Sequence, residues 1–264
     1  MHLNASSMPQ AVRTAARQGL LQGPTAGLAN GYVQANLAIL PEVLAADFLK
    51  FCLVNPKPCP LIAVAEYPGQ YEMLVGGHTL DIRRDAPRYN LFRDGRLVES
   101  VNDLSPYWRA DMVSFLLGCS FSFEDALQQA GIELRHQSEQ KNVPMYNTNL
   151  RLTPVGPFQG QMVVSMRPML AADAIRAIQI CSRFPTVHGA PVHLGDPALI
   201  GIRDIHQPDY GDAVTIRAGE LPVFWACGVT PQVAIRHARP DLAFSHSPGC
   251  MLVTDLTNAS LAVL

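Results

Sequence analysis

The sequence predicts an α/β protein, a three-layer α/β domain interrupted by a smaller, inserted two-layer α+β domain. Three features of the pattern lead there. As far as residue 143, helix-spaced apolar stripes alternate with continuous apolar runs of strand length. After Asn142 the strands cluster: two strands, a helix and two more strands, the make-up of a two-layer α+β unit. From Leu221 the order is strand, turn, helix, strand, as in a βαβ unit. The larger domain is therefore expected over residues 1–143 and 221–264, with 144–220 inserted.

In chain order, Ser7 is a natural N-cap for a helix over 9–18 that Gly19 stops. Gly23-Pro24-Thr25-Ala26-Gly27 is a small-residue turn. In Gly31–Leu37 the amides Gln34 and Asn36 sit among apolar residues and need partners. Asn36 reads as an internal staple; Gln34 stays open between staple and substrate contact. Pro41 suits the first turn of a helix reaching about Phe51, with Leu44, Phe48 and Phe51 on one stripe. The proline-rich stretch Asn55–Pro60 ends it. Leu61–Ala65 reads as a buried strand, and Asp94-Gly95 between two strand-like runs is a hairpin signal. A helix is expected over 108–117, ending at Gly118-Cys119-Ser120. Another starts at Ser122, with Glu124 and Asp125 favourable in its first turn and Gly131 as its stop. Strands are expected over 145–152, 162–166 and 213–216, with a helix over 171–182. The last unit holds a strand over 223–226, a helix over 231–238 and a strand over 242–245.

Charged residues are 16% and apolar residues 48%, an ordinary globular interior, and the net charge is −2. No basic stripe exists to meet phosphates, so no nucleic-acid partner is expected. No apolar run reaches the roughly 18 residues of a membrane span, and no signal-peptide pattern opens the chain. The six cysteines form no C-x-x-C pair. Together these point to a reduced, cytoplasmic protein without disulfides. A small-molecule carboxylate is the expected partner, with homo-oligomerisation left open.

The stretch that organises the candidate site is Arg183–Pro197, where Arg183, His188, His193 and Asp196 are threaded through two glycines and three prolines. Such a backbone is stiff and irregular, strand-like only around 190–194, and presents side chains as functional loops do. Each histidine alone is as readily a structural cap as a reactive group. Four ionisable groups on one loop favour a site. Two further turns carry candidates. In Gly118–Ser122, Ser120 and Ser122 offer hydroxyls, while Cys119 reads as a small buried apolar group. In Cys227-Gly228-Val229-Thr230-Pro231, a helix start after a strand presents free amides to a carboxylate or phosphate. The spacing of His188 and His193 matches no standard ligand pattern, so no metal or other cofactor is expected.

Gly23-Pro24-Thr25-Ala26-Gly27, Gly31-Tyr32-Val33-Gln34-Ala35-Asn36-Leu37, Asn55-Pro56-Lys57-Pro58-Cys59-Pro60, Gly118-Cys119-Ser120-Phe121-Ser122-Phe123-Glu124, Asn142-Val143-Pro144-Met145-Tyr146, Val163-Val164-Ser165-Met166-Arg167-Pro168, the central loop, and Phe224-Trp225-Ala226-Cys227-Gly228-Val229-Thr230-Pro231-Gln232 together resemble the D-glutamate cyclase family. The resemblance runs from about residue 13 to 255. It implies an α/β fold with two intertwined subdomains, and closure of D-glutamate to 5-oxo-D-proline with loss of water; bacterial members carry a hydro-lyase label. It assigns no catalytic residues. Two positions depart from the pattern: Asn30 stands in place of proline, and Asn147 in place of arginine.

The chemistry needs a grip on the α-carboxylate, removal of the ammonium protons, stabilisation of an oxyanion and protonation of the departing oxygen. Arg167 and Arg183 suit the first task, because a guanidinium binds carboxylate bidentately. His188 and His193 can exchange protons, with Asp196 orienting an imidazole. The amides of Gly228, Val229 and Thr230 can face an oxyanion. The site is expected between the two domains, with His188 or His193 sharing a pocket with Ser120 or the Thr230 amide. The alternative is a non-catalytic carboxylate-binding module, which needs the arginines and the helix start but not the histidines.

Overall fold

A computed structural model describes residues 3–263. The elements are α1 (Pro9–Arg17), β1 (Tyr32–Pro41), α2 (Glu42–Val54), β2 (Leu61–Val64), β3 (Glu72–Val75), β4 (His78–Asp81), β5 (Tyr89–Arg93), β6 (Arg96–Val101), β7 (Met112–Gly118), α3 (Phe121–Gln129), α4 (Arg135–Ser138), β8 (Met145–Arg151), β9 (Gln161–Leu170), α5 (Ala171–Ser182), β10 (His193–Leu194), β11 (Glu220–Ala226), α6 (Thr230–Ala238), β12 (Ala243–His246) and β13 (Leu252–Thr257). They build a seven-stranded sheet in the order β2-β7-β1-β12-β5-β6, with β13 pairing the first half of β1. A four-stranded sheet runs β10-β11-β9-β8, and β3-β4 is a separate hairpin. The protein is a mixed helix-and-sheet structure in which every strand pairing among the described residues is antiparallel.

Residue alternation along β1 sorts the core of the larger sheet. Ala35, Leu37 and Ile39 face Met73, Val75 and Leu80 of the separate hairpin, with Trp108 beside them. Ala38 and Leu40 face Phe48 and Phe51 of α2, Phe158, and Ala234 and Ile235 of α6. Helices therefore cover one face, and a hairpin with its neighbouring turn covers the other. In the smaller sheet, Met169, Val223 and Trp225 pack on α3 and α5. The opposite face, with Tyr146, Val164, Met166 and Phe224, lies under irregular chain carrying Ile200, Ile202 and Val214.

Three expectations change and one open choice is resolved. The helix over 108–117 is instead β7, paired on both edges and buried along its whole length. A doubly buried strand is a continuous apolar run, which periodicity cannot separate from a buried helix. No strand forms over 213–216; the Ala213 carbonyl accepts from Lys141 Nζ at 2.7 Å and the Thr215 carbonyl from Arg135 Nη1 at 2.7 Å. The terminal βαβ unit does not exist, because β11 pairs with β9 in the smaller sheet while β12 pairs with β1 and β5 in the larger one. The helix α6 joins the two sheets. Finally, Gly31–Leu37 runs into β1, and Gln34 is a staple: its Nε2 donates to the Thr25 and Leu28 carbonyls at 3.0 Å, and its Oε1 accepts from Thr25 Oγ1 at 2.6 Å.

All six cysteines are free and buried. Among the described residues no helix is long and apolar enough to cross a membrane.

Candidate active site

Two strand-to-helix turns meet at Asn36. The strand β7 runs through Gly118-Cys119-Ser120 into α3, and β11 runs through Cys227-Gly228-Val229 into α6. Asn36 Nδ2 donates to the Gly118 carbonyl at 2.6 Å. A Cβ on Gly228 would lie 2.0 Å from Asn36 Oδ1, so only glycine lets the second turn approach that amide. The central loop docks on the same place, since a Cβ on Gly118 would lie 2.1 Å from the Thr186 carbonyl. Cys119 and Cys227 share one buried apolar cluster, and burial pushes their thiols up to about 12 and about 11. They stay neutral and inert at physiological pH.

Beneath these turns lies a buried polar centre. Arg167, on β9, donates from Nε to Glu124 at 3.0 Å, from Nη1 to Ser165 Oγ at 3.0 Å and from Nη2 to Ser120 Oγ at 3.0 Å. Its Cζ lies 5.2 Å from the Trp225 ring centre. Glu124 also contacts His136 at 3.3 Å and accepts from Gln137 at 2.7 Å. Burial alone would raise the Glu124 carboxyl, but the charges of His136 and Arg167 outweigh it and hold it at about 2. Every guanidinium nitrogen of Arg167 thus has a partner, and the side chain is not free for a substrate. His188 sits at φ +80°, and its Nδ1 lies 2.8 Å from the Lys57 carbonyl. That bond requires the proton on Nδ1, leaving Nε2 as an unpartnered buried acceptor. Burial, with the charges of Arg167 and Lys57, lowers His188 to about 4.

The remaining expected residues do not join this centre. His193 pairs with Phe224 across β10–β11, and the rings lie 5.7 Å apart. That is the sheet face opposite Trp225 and Arg167, and His193 Nε2 is bonded to the Asp196 carbonyl at 2.8 Å. The Asp196 side chain caps a short turn by accepting from Ala198 N at 2.9 Å. Arg183 is exposed, its Nε 3.4 Å from the Val263 carbonyl. Ser122 Oγ accepts from the Gln34 amide at 3.3 Å. The Thr230 amide is occupied by the Cys227 carbonyl at 3.0 Å, and its hydroxyl accepts from the Val163 amide at 3.0 Å. The Gly228 and Val229 amides face the Cys227 sulfur. Of the groups expected to share a pocket, His193 and the Thr230 amide are engaged elsewhere. His188, Arg167 and Ser120 come together in a buried region; His193, Asp196 and Arg183 lie elsewhere.

An open cleft, which sequence reasoning missed, lies alongside α6. Its lobe nearer the start of α6, called the inner lobe, is about 460 Å³ and is lined by Val229, Gln232, Arg88, Asn90 and Ser247. Its outer lobe, about 990 Å³, is lined by Arg93, Arg96, Asn147, His237 and Arg239. The lobes share Tyr210, Val233 and Arg236. Both sheets contribute: β5 and β6 from the larger, and Asn147 from the smaller, beside the irregular chain that carries Tyr210. Asn90 Oδ1 is fixed by Ser100 Oγ at 2.8 Å and Ser247 Oγ at 2.7 Å. Burial raises the Tyr210 hydroxyl above its ordinary value. Among the described residues, Arg88, Arg93, Arg96, Arg236 and Arg239 make no ion pair, whereas Arg13, Arg17, Arg109, Arg135 and Arg167 all do. The available signal was the pair of arginines flanking Asp94-Gly95 and the run Arg236-His237-Ala238-Arg239. Nothing in a linear pattern says that the two meet. Among the described residues no group of three or more His, Cys, Asp or Glu could hold a metal ion.

The family model for D-glutamate cyclase matches residues 113–255. A protein of Bordetella pertussis is 62% identical over 250 residues, covering 95% of this chain and 90% of that one. One of Bordetella petrii is 59% identical over 263 residues, covering 100% and 99%. One of Burkholderia lata is 60% identical over 255 residues, covering 97% and 99%. All three are named "Putative hydro-lyase". Among solved structures, a nitrogen repressor-like protein of Methanococcus jannaschii covers 93% of this chain and 97% of its own, but at 8% identity and a TM-score of 0.38 it carries no argument. With more than half of the chain matched by the family model and its relatives aligned along nearly all of it, the chain belongs to the D-glutamate cyclase family.

Proposed function

We propose that this protein is a hydro-lyase acting on a small amino dicarboxylate, closing D-glutamate to 5-oxo-D-proline and water. The observation that carries the reading is the set of unpaired arginines in the cleft. Guanidinium groups held without carboxylate partners are a standing demand for anions, and the substrate brings two carboxylates. In this reading Arg88 and Arg236 hold the substrate in the inner lobe, where Asn90 and Ser247 add fixed polar contacts.

The reaction is internally balanced. Nitrogen attacks the γ-carbon, a C–N bond forms and a C–O bond breaks. The two protons that the ammonium loses on becoming an amide are the two that the departing oxygen needs to leave as water. The protein therefore has to carry protons a short distance rather than supply them. Tyr210, kept protonated by burial, is the donor to the departing oxygen, and His237 at the neighbouring wall is the acceptor from nitrogen. His188, Ser120 and Arg167 are assigned the task of holding the two turns beneath Val229 in place. His193, Asp196 and Arg183 have no part in this reading.

The test is incubation of the purified protein with D-glutamate, L-glutamate and hydroxy dicarboxylic acids, following loss of water by mass. Conversion of D-glutamate that disappears in Tyr210→Phe supports the reading. Binding of D-glutamate with no turnover of any of these acids would identify a carboxylate-binding module instead.

A further inference from the structure

The outer lobe is more than a vestibule for a free amino acid. Its volume, about 990 Å³, is twice that of the inner lobe, about 460 Å³, which suffices for glutamate. Its charge is one-sided: Arg93, Arg96, Arg236 and Arg239 line it, against one acid, Asp94. Arg93 and Arg96 are direct cross-strand partners at the end of the β5–β6 hairpin, and both are exposed. Like charges facing each other across a hairpin are unfavourable unless something neutralises them. No acidic side chain among the described residues does so.

The arginines are also held in fixed relation. The Asp94 amide donates to the Pro240 carbonyl at 2.8 Å. A Cβ on Gly95 would lie 2.3 Å from the Arg236 carbonyl and 3.0 Å from Arg239 Cγ, so the turn is seated on the last turn of α6. Arg239 itself closes that helix in the left-handed region, at φ +49°. Two elements seated on one another thus bring four arginines to the lining of one cavity. A single carboxylate answers one or two of them. A chain of linked phosphates, with several negative oxygens at short intervals, meets more of them at once.

We infer that the outer lobe is a second anion site that takes an oligophosphate group, either an inorganic polyphosphate or the phosphate chain of a nucleotide. This goes beyond the proposed reaction, whose substrate sits in the inner lobe and which draws only on Tyr210, Arg236 and His237 of the outer one.

The test is isothermal titration calorimetry of the intact chain with inorganic tripolyphosphate, adenosine triphosphate and citrate at physiological ionic strength. Both phosphates are expected to bind at one site, more tightly than citrate. Tighter binding of the nucleotide assigns the site to nucleotides, and equal binding assigns it to the phosphate chain itself. Arg96→Gln with Arg239→Gln is expected to weaken binding by about tenfold or more, at an unchanged thermal midpoint. Arg93→Gln alone, a second exposed position, should weaken it in the same direction. No binding of either phosphate, citrate binding as tightly as tripolyphosphate, or full affinity in the variants overturns the inference. The readout is binding without turnover. A chain that binds tripolyphosphate but leaves D-glutamate unchanged keeps this site and loses the proposed reaction.

Discussion

The Arg167 guanidinium and the Glu124 carboxylate, one from β9 and one from α3, are buried together with Nε 3.0 Å from the carboxylate oxygen. The pair ties the smaller sheet to the helix that follows β7 of the larger one. Removing one partner leaves a buried charge without compensation. Glu124→Gln is therefore expected to cost about 3–5 kcal/mol in urea denaturation. Replacement that leaves the denaturation midpoint unmoved would show that the pair contributes nothing.

The same pair sets an acid limit. Glu124 is depressed from 4.5 to about 2 in the folded chain, so its contribution is complete above pH 4.5 and is lost as pH falls towards 2. The buried histidines act at higher pH. His188 and His246 are lowered from 6.5 to about 4 by burial, so the unfolded chain takes up protons that the folded chain refuses. Stability should fall between pH 6.5 and 4, by up to about 3 kcal/mol for each imidazole. His188→Asn, which tolerates the left-handed backbone, should flatten part of that slope. An unchanged slope in this variant would contradict the assignment.

Gly228→Ala places a methyl group on the Asn36 amide. The expected loss is about 3 kcal/mol. Adding Asn36→Ala should recover part of it, because the space is returned even though the Gly118 carbonyl loses its donor. Strictly additive losses would mean that the two residues do not meet as described.

Arg236→Gln is expected to raise KM for D-glutamate by about tenfold or more while leaving the thermal midpoint in place, because the side chain is exposed and supports no ion pair. Steady-state kinetics at fixed ionic strength decide it. An unaltered KM would remove Arg236 from the substrate site.

Six free thiols should titrate in denaturant without reductant, and few should react at pH 8 in the folded chain, where burial raises those of Cys119, Cys181, Cys227 and Cys250. A count of four or fewer in denaturant would mean that a disulfide forms.

The helices over 9–18 and 171–182, the hairpin at Asp94-Gly95 and the start of α6 at Thr230-Pro231 were legible in the sequence, because turn residues, prolines and helical spacing are local signals. The capping roles expected of Ser7 and Thr230 were not, since the N-caps are Met8 and Val229 and neither makes a side-chain capping bond. So were the glycine turns and the motifs that place the chain in its family. The strand β7 was not, since Met112–Gly118 is buried on both faces and its partners are far away in the chain. Nor was the split of β11 and β12 between two sheets, which rests on non-local pairing. The same distinction divides the site. Residue types on the central loop pointed to a site there, but only the register of β10 on β11 turned His193 away from Arg167, and only packing gave Arg167 to Glu124. The cleft joins arginines more than a hundred residues apart, Arg96 and Arg236, through the seating of one turn on one helix end. Backbone preferences are written residue by residue; which side chains share a cavity depends on where the whole chain closes upon itself.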